Sequence, residues 1–344
     1  MSKKEITTKM ERRDFLKKSA LAAAGAGVLS MMPKESSAEV VSKKHGGKKF
    51  KVIDYRCRPP LKQFGGLYKL RLGYIAQRPN TLGNPATHGK VPEAVKLYGA
   101  GKLDDAFKMW WKEIDDTGIE AVVIAGRFMM GQPNMTMGTK ELLEYEKKFP
   151  GRFYGIAPIN IDQDIKKSAQ ELEEAIKMGI RGATIEPGYR VIGGPTTIDN
   201  PDFFPLYEIL QDKGILLQVQ TGMFADPDNF DMPNQIWRFD HVLKRFPKLR
   251  VVLGHAGYPR ITEALGLALK WPSVTISSDV YTFWPGGQLY QQNIELLQDQ
   301  FVYGSAYPFG NFDTTLQQTL DLPLSDKVLK KYLYTNARKL LNLE

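Results

Sequence analysis

Ile215-Leu-Leu-Gln-Val-Gln220 is a run of six mostly apolar residues set between two amphipathic segments. The segment before it, 204–212, closes at Gly214, and the one after it, 234–246, leads into Leu249-Arg-Val-Val-Leu-Gly-His255. Six residues are too few for a buried helix, and the run does not alternate as a half-exposed strand would. It therefore reads as a strand covered on both faces. Two such strands joined by a helix-length crossover make a parallel unit. The same beat extends in both directions. Strands are expected at 50–58, 120–125, 152–159, 182–186, 274–279 and 301–306, with helices at 103–117, 140–149, 165–178, 259–270 and 288–299. Eight strands without an antiparallel block predict an α/β fold, a (β/α)8 TIM barrel over 50–344.

Two stretches fall outside the beat. Residues 39–49, centred on Lys43-Lys-His-Gly-Gly-Lys-Lys49, read as a solvated linker. Residues 59–92 lack periodicity and read as a long loop, in which Arg71, Tyr74, Arg78 and His88 make a candidate lid.

The first 38 residues have the character of an address. Met10-Glu-Arg-Arg-Asp-Phe-Leu-Lys-Lys18 carries paired arginines before a weakly apolar stretch at 20–32, and Ser36-Ser37-Ala38 offers small residues for cleavage. This order is similar to a twin-arginine signal, which implies export through the twin-arginine translocon to the periplasm or beyond. The apolar part is shorter than the ~20 residues a spanning helix needs, so no stable membrane span is expected. The whole chain carries a formal charge of +9, and loss of residues 1–38 leaves +5. The remaining basic residues are scattered among acids, which argues against a nucleic-acid partner. With Cys57 as its one cysteine, the chain forms no internal disulfide.

In a barrel of this kind the chemistry sits at the C-terminal strand ends. These ends supply Arg56 and Arg58, Arg127, Asn160, Glu186, Gln218 and Gln220, His255, Asp279, and Ala306 with Tyr307. In Phe50-Lys-Val-Ile-Asp-Tyr-Arg-Cys-Arg-Pro59, alternation places Asp54, Arg56 and Arg58 on one face and Ile53, Tyr55 and Cys57 on the other. Cys57 is accordingly expected to be a core residue facing the helices.

Phe246-Pro-Lys-Leu-Arg-Val-Val-Leu-Gly-His-Ala-Gly257 resembles the sixth-strand signature of the amidohydrolase-related family, and Phe301-Val-Tyr-Gly-Ser-Ala-Tyr-Pro308 resembles its last-strand motif. Gly151-Arg-Phe-Tyr-Gly-Ile-Ala-Pro158, Gly182-Ala-Thr-Ile-Glu-Pro187 and Asn336-Ala-Arg-Lys-Leu-Leu341 fit the same pattern. The resemblance implies metal-assisted hydrolases, decarboxylases of small acids, or lactonases, in barrels that commonly pair as homodimers. It also implies metal ligands that this chain replaces. Arginines stand at 56 and 58 where the family has two histidines, Gln220 at the fifth-strand histidine, and Ala306 at the last-strand aspartate. Four histidines in the chain, at 45, 88, 241 and 255, cannot supply the converging ligand set of a zinc site, and arginine repels a cation. Neither a barrel metal nor another cofactor is expected.

The leading expectation is an exported, metal-independent enzyme, a hydrolase, carboxy-lyase or isomerase acting on a small carboxylate-bearing ligand. Arg56, Arg58 and Arg127 would hold the anion, and Gln218 and Gln220 would hydrogen-bond the ligand. His255 would move the proton, assisted by Asp279 or Glu186. Structural ion pairing of Arg56 and Arg58 with Asp54, Glu186 or Asp279 is the alternative at that strand. For the whole protein the alternatives are a non-catalytic binder of an acidic metabolite and an accessory partner of an exported redox enzyme.

Overall fold

The computed structural model describes residues 38–77, 91–128, 135–223 and 235–343; the signal-like segment lies outside them, except for Ala38. Residues 39–49 are not a linker. Val40–Ser42 (β1) and Lys48–Phe50 (β2) pair antiparallel as a hairpin. Gly46 and Gly47 turn it with φ of 65° and 79°, a conformation that glycine adopts without steric cost. His45 Nδ1 lies 2.7 Å from Asp326, which also meets Lys48, so the turn is anchored to the C-terminal region.

The barrel strands follow in order: Ile53–Asp54 (β3), Ala121–Ala125 (β4), Phe153–Pro158 (β5), Gly182–Ile185 (β6), Leu216–Gln220 (β7), Val251–Gly254 (β8) and Val274–Ser277 (β9). They form one parallel sheet in sequence order. The stretch 301–306 closes it. Ile276 donates to the Gln300 carbonyl at 2.7 Å on one side, and Tyr55 donates to the Tyr303 carbonyl at 2.8 Å on the other. The expected eighth strand is thus present as bridging backbone, and the sheet becomes a barrel.

The helix Leu103–Thr117 shows how the outer layer is specified. Ala106, Trp110 and Ile114 recur every four residues and are buried, while Asp104 and Asp105 sit in the first turn, where the helix dipole favours them. Gly118 ends it at φ 77°. Ile165–Lys177 is capped by Asp164, which accepts from the Lys166 and Lys167 amides, a cap of about 1 kcal/mol. Inside the barrel, Ile53, Tyr55, Val123, Ile156, Leu216, Val252 and Val302 form one core with Ala337, Leu340 and Leu341. The C-terminal helix Asn336–Leu340 packs into that core, and Arg250 ties it down by donating to the Lys339 and Leu340 carbonyls at 3.1 and 2.8 Å.

The stretch 59–92 differs from the loop expected. It contains a short 3-10 turn, Lys62–Phe64, and the helices Gly65–Gln77 and, just beyond, Glu93–Gly99. Of the four lid candidates, Arg71 is buried here, while Arg78, His88 and the Tyr74 side chain lie outside the described residues. Among the described residues no helix is long and apolar enough to cross a membrane.

Candidate active site

The first barrel strand departs from simple alternation, and the site follows from that departure. The Asp54 carboxylate accepts from the Arg56 amide at 3.0 Å, folding the chain back at Tyr55–Arg56, and from the Ser305 amide at 3.0 Å. Ile53 and Tyr55 share the barrel-core face, as their two-residue spacing dictates, and the bend turns Arg56 toward the barrel mouth as well. The Asp54 carboxylate serves backbone amides rather than the Arg56 guanidinium. It staples the first strand to the last, fully buried, and burial raises its pKa to about 7. Cys57 bridges to Tyr307 in the wall, wholly buried, and burial pushes its thiol pKa well up, which suits a packing residue.

Arg56 and Arg58 do not act as one fork. The Arg56 guanidinium is engaged within the protein through Nε and Nη2, while its buried Nη1 has no hydrogen-bond partner among the described residues. Its Nε lies 3.1 Å from Asp279 Oδ2, and its Nη2 meets Gln220 Oε1 and lies 3.2 Å from His255 Nε2. Gly254 and Gly304 make room for it. A Cβ at Gly254 would lie 2.8 Å from Arg56 Nη1, and one at Gly304 would lie 3.0 Å from Arg56 Cβ and 2.7 Å from Asp279 Oδ1. Arg56 thus takes the ion-pair alternative, with Asp279 as its partner.

His255 Nδ1 stands 2.7 Å from the same Asp279 Oδ2. The Arg56 contact to that oxygen is close but off hydrogen-bond alignment, so it acts chiefly through charge. Ser277 Oγ donates to the other Asp279 oxygen at 2.5 Å. A guanidinium can only donate and a carboxylate only accept, which sets the tautomer: the His255 proton sits on Nδ1 and the Nε2 lone pair faces Arg56. Burial, then the charge of Arg56, lower the His255 pKa to about 4 against the opposing pull of Asp279. The imidazole is neutral at pH 7. His255, Ala256, Asp279 and Ala306 all take left-handed φ, between 48° and 66°, at the strand ends. For non-glycine residues each such conformation costs on the order of 1 kcal/mol and is held only by its surroundings.

Glu186 does not join His255. It pairs with Arg127 at 3.2 Å, and the Arg127 guanidinium lies 5.5 Å from the centre of the Tyr189 ring. This pair borders a cleft lined also by Phe128, Ile159, Asp162 and Thr184. Asp162 accepts from the Val191 and Ile192 amides and shapes the following loop. Gln220 belongs to the Arg56 cluster. Gln218, two residues deeper on β7, is almost wholly buried, and its Oε1 lacks a hydrogen-bond partner. Beside His255, Tyr281 meets the imidazole edge-on at 5.2 Å, stacks on Tyr258 at 4.6 Å and meets Trp284 at 5.0 Å, an aromatic wall for the mouth.

Arg58 is the exception among these cations. It is only 8% exposed, yet among the described residues its side chain donates only to the Cys57 carbonyl, at 3.0 Å, and sits 5.5 Å from the centre of the Phe64 ring. Burial, with the charge of Arg56 next, lowers its pKa to about 9. Phe64 carried no signal in the sequence, because it falls in the stretch that reads as a loop.

A barrel with charged residues at its C-terminal strand ends defines the class. The chain belongs to the amidohydrolase family, whose pattern matches residues 113–343. No curated protein matches it. Among solved structures it is similar to an uncharacterised TIM-barrel protein from Bordetella bronchiseptica, at 25% identity and a TM-score of 0.72, covering 85% of this chain and 99% of that one. It is also similar to 5-carboxyvanillate decarboxylase from Sphingomonas paucimobilis, at 16% identity and TM-score 0.57, covering 86% and 100%. Dihydroxybenzoic acid decarboxylase from Polaromonas, solved with bound manganese, aligns at 15% identity and TM-score 0.60, covering 86% and 97%. The last two likenesses are of fold alone.

Manganese in that neighbour makes the fit of a metal here a direct question. The donors that could hold one, His255 Nε2, Asp279 Oδ2 and Gln220 Oε1, all converge on the Arg56 guanidinium. Among the described residues no group of three or more His, Cys, Asp or Glu could hold an ion. A permanently charged guanidinium in the centre of the donor set does not fit a divalent cation.

Proposed function

We propose that the protein is a metal-independent enzyme of the carboxy-lyase or hydrolase type acting on a small carboxylate-bearing substrate. The observation that carries this reading is Arg56, held by Asp279, Gln220 and His255 where a metal would otherwise supply the positive charge. In this role Arg56 stabilises negative charge developing on the substrate. Arg58 receives the carboxylate, with Arg127 bordering the site. His255, neutral and with a lone pair on Nε2, accepts the proton as Arg56 shifts toward the reacting group, and Asp279 steadies the imidazolium that forms. Glu186 keeps Arg127 oriented.

Incubating the protein with EDTA, or with added manganese or zinc, is expected to leave both turnover of an identified carboxylate substrate and the melting temperature unchanged. Stoichiometric metal in the purified protein, lost together with activity on chelation, would refute the reading. A second reading, a carboxylate-binding protein without catalysis, draws on the engagement of His255 Nε2 by Arg56 and on Ala306 in the last-strand motif. Saturable binding of a carboxylate with no product formed would decide for it.

The enzyme is further proposed to work outside the cytoplasm, on the strength of Arg12-Arg13 and the segment that follows. In fractionated cells, the Arg12→Lys/Arg13→Lys chain is expected to stay in the cytoplasm while the wild-type chain leaves it. Equal export of both would remove the twin-arginine assignment.

A further inference from the structure

The charges around Arg58 balance except at Arg58 itself. Arg56 is paired with Asp279 and Arg127 with Glu186, and His255 is neutral at pH 7. Arg56, Glu186 and Arg127 are the charged side chains that weigh most on Arg58. Arg71 is not one of them, since it meets Asn311 and bears on Tyr307 instead. Among the described residues Arg58 has no carboxylate partner, and its own hydrogen bond to a neighbouring carbonyl occupies Nη1 alone. Among the described residues Nε and Nη2 make no hydrogen bond, and neither is a fully buried orphan atom, so both keep accessible surface that a small molecule can reach.

Burying a charge without a partner is costly, and a guanidinium held this way gains most from one carboxylate bound through two parallel N–H groups. A second carboxylate entering the same cluster would find Arg56 and Arg127 already neutralised, and would lie against Asp279 or Glu186. We infer that Arg58 is the receptor for a monoanion: the ligand of this site carries one carboxylate, seated on Arg58 beside the Phe64 ring, and is uncharged elsewhere. The inference rests on the carboxylate-directed reading above and fixes the charge of the substrate and the group that reads it.

The test is a thermal-shift and calorimetric comparison on the full chain with two sets of probes: benzoate, isophthalate and benzamide, and butyrate, succinate and butyramide. The monocarboxylates are expected to stabilise the protein. The amides should give no shift, and the dicarboxylates should bind at least about tenfold more weakly, a difference of about 1.4 kcal/mol. Arg58→Gln is expected to abolish the monocarboxylate shift, and Arg58→Lys, which keeps the charge but loses the fork, to retain part of it. Dicarboxylates binding more tightly than their monocarboxylate counterparts would overturn the monoanion inference and leave the carboxylate-directed reading standing. Undiminished binding of benzoate and butyrate by the Arg58 variants would overturn Arg58 as the receptor. If no carboxylate in either set shifts the wild-type protein, both the inference and that reading fall. Should Arg58→Gln not fold, the wild-type comparison of acid with amide and the Arg58→Lys protein still decide the matter.

Discussion

Arg56→Gln is expected to destabilise the protein by about 3–5 kcal/mol and to raise the pKa of His255 from its value of about 4. Both effects come from one geometry. The Arg56 and Asp279 side chains are 3% and 0% exposed, and glutamine leaves the Asp279 carboxylate buried without its cation. Breaking such a pair from one side costs far more than the pair contributes, because the remaining charge keeps its desolvation penalty. His255 responds through charge. After burial, Arg56 is the largest influence lowering its pKa, and Asp279 is the opposing one. Removing Arg56 leaves the carboxylate to act unopposed by that charge.

The sign of the linked stability follows. In the wild type, His255 is depressed below its ordinary 6.5, so its contribution is present above that pH and is lost as pH falls toward 4. In Arg56→Gln that acid-side loss should shrink. Denaturant unfolding across pH 4–7 reads the first effect, and an NMR titration of His255 reads the second. An unfolding free energy within 0.5 kcal/mol of wild type at pH 7, with an unmoved His255 pKa, would show that Arg56 is not the central cation of the site.

The second large effect is at Asp54, where pH works in the opposite direction. Its pKa is raised from 3.8 to about 7 by burial, and Asp279 adds to the rise. The folded protein therefore holds the Asp54 proton more tightly than the unfolded chain. The stability this gives is full below pH 3.8 and is lost as pH rises through about 7. About three pH units at 1.36 kcal/mol each set the loss on the order of 4 kcal/mol. Asp54→Asn keeps an oxygen for the Arg56 and Ser305 amides and removes the charge. It should flatten this part of the profile and be more stable than wild type at pH 8. Parallel profiles for the two proteins between pH 4 and 8 would mean that the staple between the first and last strands is not held by a protonated carboxyl group.

The two predictions share a stretch of chain that the sequence identified for its charges and misplaced for its geometry. Period-two alternation from Ile53 to Arg58 assigns Asp54 to the arginine face and Tyr55 to the helices. One hydrogen bond from the Arg56 amide to the Asp54 carboxylate is enough to break that period. Alternation is a property of regular backbone, and side chains that bond their own neighbours' amides compete with it. The 39–49 segment failed as a linker for a related reason. Its lysines and glycines look solvated, yet the glycines form the turn and Asp326, nearly 280 positions away, holds it.

Sequence alone determined the barrel, because eight apolar runs separated by helix-length crossovers leave few other ways to bury both faces of every strand. It also brought His255, Asp279, Glu186, Gln218, Gln220 and the arginines to the strand ends, since that is a matter of position along the chain. Partnership was decided only by the tertiary structure. Asp279 rather than Glu186 meets His255, Arg56 pairs with Asp279 while Arg58 meets no carboxylate among the described residues, and Glu186 serves Arg127. The reason is physical. Which charges neutralise each other depends on differences of a few ångströms between residues from separate strands, and in a low-dielectric barrel mouth those differences set the energy.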